Sequence, residues 1–436
     1  MLLTFLKNHI VYCIILLCIS LLSFNLYGQN DAVKEKDIQG LDFGILPSFV
    51  YNTDKGLQYG ALATFYYYGK GTKYPESLYN LYLQCSQTTR KDYVNYLFFD
   101  SGHMLHRGMR LTINMSLVKR GFEQFYGVNG YNSLYNKDYI DPTKPQYISR
   151  HYYFFEEKTK TISMDLKGNF LDPHLRWDLG LGYYNLSTLP FRNRLSSLHK
   201  ETTLFEKYID QGVIPDDQKN GGVTSFMKTG LIYDTRNNES IPTKGIWVEG
   251  VYINAPLFLF NKFAYSQVSF IFHQYLPFSS KLIFAYRLAY QTKLSGKIPI
   301  YMLHELASTN HAEEALGGYK TIRGILNRRL LGNGFALANL EFRYIPIHTV
   351  LLERNLGIGF NIFEDMGMIT DEYKVDNSLN GLAFDYQAGL EKLHYAAGAG
   401  IRFIVNHNFI ISMDYGRAFD KRDGTKSEYI ALDYLF

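Results

Sequence analysis

Apolar and polar residues alternate along most of the chain, so that every second side chain has the same character. In residues 355–369 the first set of alternate positions is Leu356, Ile358, Phe360, Ile362, Met366 and Met368. The second set is Asn355, Gly357, Gly359, Asn361, Asp365 and Gly367. Residues 335–345 and 392–405 repeat the pattern. A period of two with one polar face is typical of a half-buried β-strand.

The same period predicts sixteen strands. Their ranges are 42–51, 57–69, 77–89, 93–103, 107–119, 150–167, 173–188, 223–235, 245–256, 262–276, 281–293, 334–346, 355–369, 393–405, 408–418 and 427–436. One face of each predicted strand is apolar and ends in aromatic residues, and the other carries glycine, asparagine and charged residues. This distribution is typical of a β-barrel in lipid. Because hydrocarbon offers no partner to an open sheet edge, a membrane admits such strands only as a closed barrel. The predicted fold is therefore all-β, a 16-stranded antiparallel transmembrane β-barrel.

The predicted connections give a second indication of this fold. The four longest are 120–149, 189–222, 294–333 and 370–392, and each follows an odd-numbered strand. Outer-membrane barrels have short periplasmic turns and long extracellular loops. We therefore expect the odd connections to be extracellular, which makes 294–333 the sixth outer loop.

The two ends of the chain carry targeting signals. Lys7, an apolar run at 10–24 and the small residue Gly28 predict a cleaved signal peptide over residues 1–28. The alternative is an uncleaved anchor helix, but the apolar run is shorter than the span of about 20 residues that a membrane helix needs. Residues 29–41 would form a short periplasmic segment, and 42–436 the barrel in the outer membrane of a Gram-negative-type envelope.

Alternation in the last predicted strand places four apolar residues on one face: Ile430, Leu432, Tyr434 and Phe436. A terminal aromatic residue on an amphipathic last strand resembles the C-terminal signal by which outer-membrane proteins are recognised for insertion. Tyr434 and Phe436 are the residues that would carry this signal.

Composition and short motifs argue against several classes of function. The chain has 45 Lys+Arg against 41 Asp+Glu, a net charge of +4 that is too balanced for a nucleic-acid partner. Its 37 Tyr and 31 Phe favour strands. With Cys13 and Cys18 in the apolar N-terminal run, Cys85 is alone, which excludes a disulfide framework. The chain has neither a nucleophile elbow nor a zinc-protease sequence, so we expect no enzyme activity, metal or cofactor.

Two local sequences resemble the BamA/TamA-type superfamily, the bacterial surface antigen barrels. Residues 317–325 contain Ile-Arg-Gly at Ile322, Arg323 and Gly324, similar to the family's Val-Arg-Gly-Tyr/Phe motif. Residues 363–367 resemble its Phe-x-Asp-x-Gly wall motif. The resemblance implies that the sixth outer loop folds into the lumen, where Arg323 and Gly324 meet Asp365 and Gly367.

Elementary electrostatics favours the same pairing. A buried charge without a partner is costly, and a guanidinium can bind a carboxylate through two hydrogen bonds. Alternation places Arg402 on the same face as Asp365, so we expect it nearby. Further matches to the family lie at 233–245, 125–130 and 414–416, and the resemblance extends over the whole predicted barrel.

The resemblance implies a role in outer-membrane protein biogenesis or in transport across that membrane. It covers the barrel alone, without the periplasmic POTRA domains that assembly factors of this family normally carry. Outer-membrane lipid is the expected partner, together with unfolded outer-membrane proteins or a separate periplasmic partner. The alternatives are a passive channel or surface antigen that keeps the fold without assembly activity, and a membrane enzyme or anchor.

Overall fold

A computed structural model describes residues 37–52, 56–191, 203–309, 313–314, 316–351, 354–375, 386–406, 408–432 and 434–436. The chain divides into two units, residues 1–35 and residues 36–436, and the fold below is that of the second unit. The predicted signal peptide and the first part of the predicted periplasmic segment lie outside the described residues. Among those residues, no helix has both the length and the apolar character needed to cross a membrane.

Within the described residues, sixteen strands form one antiparallel sheet, and each pairs with the strand of this sheet that follows it in the chain. They are β1 (Leu41–Asn52), β2 (Gly56–Tyr67), β3 (Tyr79–Thr88), β4 (Tyr93–Asp100), β5 (Arg110–Gln124), β6 (Phe154–Asn169), β7 (Leu175–Pro190), β8 (Gly222–Asp234), β9 (Gly245–Ala255), β10 (Tyr265–Pro277), β11 (Leu282–Gly296), β14 (Gly334–Leu351), β15 (Arg354–Asp371), β16 (His394–Val405), β17 (Phe409–Ala418) and β18 (Ser427–Leu432). The predicted number of strands and their antiparallel order are confirmed.

Smaller elements lie in the connections. Two strands of two residues each, β12 (Glu305–Leu306) and β13 (Glu313–Glu314), pair antiparallel in the connection between β11 and β14. A short helix, Leu204–Asp210, lies between β7 and β8. Its first residue follows Thr203, whose hydroxyl accepts the backbone N–H of Glu206 while the Glu206 carboxylate accepts that of Thr203. This reciprocal cap explains why the helix begins where it does.

The two faces of the sheet have the polarity that alternation predicts, with apolar side chains outside. On β15, Ile362 is 60% exposed, whereas the neighbouring inward positions Asn361 and Asp365 are buried. On β14, Phe342 is exposed and Glu341 is fully buried. This is the reverse of a water-soluble sheet. It matches a sheet whose outer face meets lipid and whose inner face carries polar groups.

The long connections all leave the sheet at one end, which we call the loop end. They are 125–153, 191–221, 297–333 and 372–393, after β5, β7, β11 and β15. The opposite end, which we call the turn end, carries the connections 68–78, 101–109, 170–174, 235–244, 278–281, 352–353 and 406–408. The predicted positions of the four long connections therefore agree with the strand bounds.

Some strand limits differ from the predicted ones. β5 runs to Gln124 rather than to residue 119, and β14 runs to Leu351 rather than to residue 346. β14 continues through Pro346 because its register with β15 shifts between Tyr344 and Ile347. A proline has no N–H to donate to a ladder, and an irregularity in the register accommodates it.

Connections from distant parts of the sheet contact one another at the turn end. The Asn408 amide donates to the Pro75 carbonyl at 2.6 Å and to the Tyr68 hydroxyl at 2.7 Å. The Ser240 hydroxyl donates to the Asn408 side-chain oxygen at 2.8 Å. Asp42 of β1 accepts a hydrogen bond from Asn406 at 2.9 Å. Strands from the start, middle and end of the sheet therefore converge here.

Aromatic packing holds the loop end together. The Phe125 ring meets the Phe205 ring edge-on at 5.4 Å and the Tyr208 ring at 5.0 Å. Tyr153 and Tyr301 belong to the same buried cluster. Because aromatic pairs in such geometries stabilise beyond simple burial, this cluster fixes the long connections relative to one another. The connection 297–333, which carries Arg323, begins within it.

Candidate functional site

The connection 297–333 lies along the buried face of the sheet, and its first part contacts β8 and β11. The Lys228 ammonium donates to the Ser308 carbonyl at 2.8 Å. The Gln291 amide accepts the Ala307 N–H at 2.9 Å and donates to the Glu305 carbonyl at 2.8 Å. These side chains satisfy backbone groups that would otherwise be buried without partners. They anchor the first half of the connection.

The second part, residues 317–325, contacts β11 again and also β14, the strand that follows the connection. The Asn339 amide of β14 donates to the Thr321 carbonyl at 2.6 Å. Arg287 of β11 donates to the Lys320 carbonyl and to the Asn339 side-chain oxygen, both at 2.8 Å. One connection is therefore bound by strands that precede it and by strands that follow it.

Arg323 lies at the centre of this second contact. Its Nε donates to Asp365 Oδ2 at 2.7 Å and its Nη2 to Asp365 Oδ1 at 3.0 Å, which is a bidentate pair. Its backbone N–H also donates to Asp365 Oδ2, at 3.0 Å. Its Nη1 donates to Glu341 at 2.6 Å, and its Cζ lies 3.5 Å from the centre of the Phe363 ring. Asp365 thus binds both the side chain and the backbone of one residue.

Further charges extend this pair into what we call the Arg323 cluster. Arg343 Nε donates to Glu341 at 2.7 Å, and Arg402 donates to both oxygens of Asp414 at 2.9 and 3.0 Å. The six members are Arg323, Arg343, Arg402, Glu341, Asp365 and Asp414. Three guanidinium groups face three carboxylates, so the formal charges cancel. Buried charges persist only when paired in this way.

Glycines allow the chain to approach the sheet closely at this point. Gly324 has φ +99, and a Cβ there would lie 2.6 Å from the backbone nitrogen of Arg417. A Cβ on Gly367 would lie 2.8 Å from the Ile322 side chain. The Gly324 N–H donates to the Tyr429 hydroxyl of β18 at 3.0 Å. The Arg-Gly and Asp-x-Gly sequences are therefore two sides of one contact.

Gly324→Ala is expected to lower the free energy of unfolding by about 2–4 kcal/mol, from the positive φ and the backbone overlap together. The measurement is a urea titration of the refolded protein in detergent. Gly212→Ala is the matched control, because Gly212 has φ +73 with no atom within 4 Å of its Cβ position. Equal losses in the two variants would contradict the close-contact interpretation.

The structure brings Arg323, Gly324, Asp365 and Gly367 together. Arg402 joins them indirectly through Asp414, whose Oδ2 lies 3.5 Å from Arg323 Nη1. The predictions from sequence did not include Glu341 or Asp414 as partners. In residues 335–345 the alternation places Glu341 opposite the apolar Leu340 and Phe342, and this polar face is the only signal in the sequence for its position.

Tyr434 and Phe436 do not lie where they were predicted. β18 ends at Leu432, and these two side chains do not share an outer face with Ile430, which is 76% exposed. The Tyr434 ring lies 4.4 Å from Arg343 Cζ, and the Phe436 ring lies 4.8 Å from it. Arg343 Nη2 also donates to the Phe436 carbonyl at 2.9 Å. Stacking on a buried guanidinium draws the last residues inward and overrides the strand period.

Residues 125–130 are adjacent to the same connection at the loop end. The Asn129 N–H donates to the Leu331 carbonyl at 2.7 Å. The Arg329 guanidinium donates to the carbonyls of Gly130 at 2.9 Å and Ser133 at 2.8 Å. Residues 125–130, one of the family matches in the sequence, therefore hold the end of the connection that carries Arg323.

A large antiparallel sheet with apolar side chains outside and paired charges inside is the arrangement of outer-membrane β-barrels. Residues 82–432 match the Omp85 superfamily domain, so the chain belongs to the Omp85 superfamily, and the resemblance seen in its sequence is confirmed. A search of curated proteins finds no significant match.

Solved structures are similar over most of the chain. CdiB from Escherichia coli is 10% identical with a TM-score of 0.53, over 92% of this chain and 64% of that one. BamA from Haemophilus ducreyi lacking POTRA domains 1-3 is 18% identical with a TM-score of 0.49, over 90% of this chain and 69% of that one. The likeness to CdiB shows the fold, and this chain spans less than two thirds of that protein.

Proposed function

We propose that the sheet closes between β1 and β18 into a transmembrane barrel of the outer membrane, with the connection 297–333 inside its lumen. We propose further that the protein acts in outer-membrane protein biogenesis or in transport across that membrane, without covalent chemistry. The observation that carries the proposal is the Arg323 cluster, which binds a long connection to the inner face. A simple pore has no need of such a bound segment.

The edges of the sheet support this role. Within the described residues, β1 forms a ladder with β2 alone and β18 with β17 alone. β18 is only six residues long, whereas β1 has twelve. Unpaired backbone groups at an edge can pair with an added strand from another chain. A seam between β1 and β18 would therefore suit the capture of an unfolded strand, with Arg343 drawing the C-terminal residues away from it.

Depletion of the protein, followed by quantification of the outer-membrane proteome, tests the biogenesis role. The expected result is the loss of several unrelated barrels or surface lipoproteins, because each needs assistance to insert. Restoring the wild-type chain should reverse that loss, and a chain carrying Arg323→Ala should not. An unchanged proteome after depletion would contradict the proposal.

A passive channel is the second candidate, and one observation favours it. Asp178 lies on the inner face of β7, so an ionisable side chain is part of the inner wall. Polar inner walls are typical of channel-forming barrels, and sixteen strands make a barrel wide enough for a channel. Single-channel conductance of the reconstituted protein distinguishes the candidates. A steady open current in the wild type would favour the channel.

A further inference from the structure

The connection between β9 and β10, residues 256–264, exposes large apolar side chains at the loop end. Phe258 is 69% exposed and Phe260 is 94% exposed, and Leu257 beside them is also exposed. We call Leu257, Phe258, Phe260 and the nearby lysines Lys262 and Lys297 the rim patch. Large exposed apolar side chains grouped in this way indicate a surface that a membrane or another protein covers.

The rim patch is held rigidly rather than loosely exposed. Asn261, which is buried, donates to the Pro256 carbonyl at 2.8 Å and to the Ser225 carbonyl at 2.7 Å. Its side-chain oxygen accepts the Ser225 N–H at 2.7 Å. Phe260 has φ 64, an uncommon conformation for a bulky residue that persists only where the surroundings impose it. The Asn261 clamp therefore fixes the outward direction of Phe260.

The two chain segments that form the rim patch carry charged residues of positive sign only. Residues 256–264 and 293–297 contain Lys262, Lys293 and Lys297, and neither segment contains Asp or Glu. The ammonium groups of Lys262 and Lys297 lie 5.8 and 5.3 Å from the centre of the Phe263 ring. Asp217, whose carboxylate lies 3.8 Å from Lys262, offsets part of this charge. The lysines thus flank the apolar side chains with a positive surface.

The rim patch continues the outer apolar face of the sheet. Phe270 of β10 and Leu294 of β11 are exposed on that face, and Leu294 lies close to Lys297 in the chain. Four members of the patch lie between the end of β9 and the start of β10, and Lys297 directly follows the end of β11. In the proposed barrel this is the boundary between the outer leaflet and water.

We infer that the rim patch binds an anionic lipid of the outer leaflet, one whose phosphate carries net negative charge. The apolar side chains enter the acyl region, and Lys262 and Lys297 bind the phosphate. An amphipathic surface with basic residues beside aromatic ones has the chemistry for an anionic membrane boundary. The inference rests on the proposed membrane location.

The test uses the full chain with Cys13→Ser, Cys18→Ser and Cys85→Ser. A fluorophore is attached at either Phe260→Cys or Ile362→Cys, and the protein is reconstituted in phosphatidylcholine vesicles. The quenchers are phosphatidic acid and phosphatidylcholine, each with a nitroxide high on an acyl chain. At position 260 we expect quenching by both, with a preference of about fivefold for phosphatidic acid. Lys262→Gln with Lys297→Gln should abolish the preference. Lys244→Gln with Lys281→Gln, exposed lysines of the turn end, should retain it.

The label at position 362 separates the two proposals, since Ile362 lies on the outer face of β15. Absence of quenching there would contradict the membrane-spanning barrel itself. Quenching at 362 without quenching at 260 would overturn the inference alone, and would assign the rim patch to a protein partner or a second copy. Equal quenching at 260 by the two lipids would overturn the preference for a lipid whose phosphate carries net negative charge.

Discussion

Arg323→Ala is expected to lower the free energy of unfolding by about 3–5 kcal/mol, because it leaves Asp365 and Glu341 as buried charges without their shared partner. All three side chains are fully buried, so water cannot replace the guanidinium without a rearrangement. The expected rearrangement is release of the connection 297–333 from the sheet, with the strands retained. Urea unfolding in detergent measures the first effect, and limited proteolysis of that connection measures the second.

Matched variants sharpen this test. Arg417→Ala removes an exposed arginine from the opposite face of β17, and should leave stability nearly unchanged. Arg323→Lys retains the charge but not the bidentate geometry, so an intermediate loss is expected. If Arg323 and Asp365 are coupled, the double variant with Asp365→Ala should be no worse than either single one. Fully additive losses would contradict the pair.

Tyr434→Ala is expected to cost about 3 kcal/mol in detergent, the usual loss for a buried aromatic side chain. Its ring packs against Arg343 and lies 5.3 Å from Arg402 Cζ, so the loss would also expose the Arg323 cluster. Tyr434→Phe keeps the ring and should retain most of the stability. Ile430→Ala, at an exposed position of β18, controls for the strand itself.

The same variants separate a packing role from an insertion signal. If Tyr434 acts through Arg343, Tyr434→Ala should unfold more easily after refolding in vitro. Normal stability in detergent combined with failed insertion in cells would contradict that role and would leave Tyr434 as a recognition signal only. Comparing urea midpoints with the amount of protein inserted in cells makes the distinction.

The sequence carries enough information to predict the contact between Arg323 and Asp365, but not the whole cluster. Alternation establishes which face Asp365 occupies, and the resemblance of residues 317–325 to the family's loop motif implies that Arg323 is its partner. The register between neighbouring strands is not encoded in the period. The pairing of Asn339 with Asp365, which places Glu341 within reach of Arg323, therefore becomes visible only in the folded sheet.

At the C-terminus the sequence pattern predicts a longer strand than the structure has. The period of two continues through Tyr434 and Phe436, so any local analysis extends the last strand to the end of the chain. The residue that overrides this preference, Arg343, lies far away in the sequence on β14. Tertiary contacts outweigh strand propensity where a buried guanidinium offers an aromatic ring a better partner than the sheet does.

The path of the connection 297–333 imposes an order on folding. It is bound by β8 and β11, which are synthesised before it, and by β14, β15 and β18, which follow it. In the proposed barrel, a connection that entered after closure would have to remove the water from Arg323 before that residue could meet Asp365. The connection would therefore bind β11 before β14 and β15 enclose it. The six-residue β18 would complete the sheet after that contact has formed.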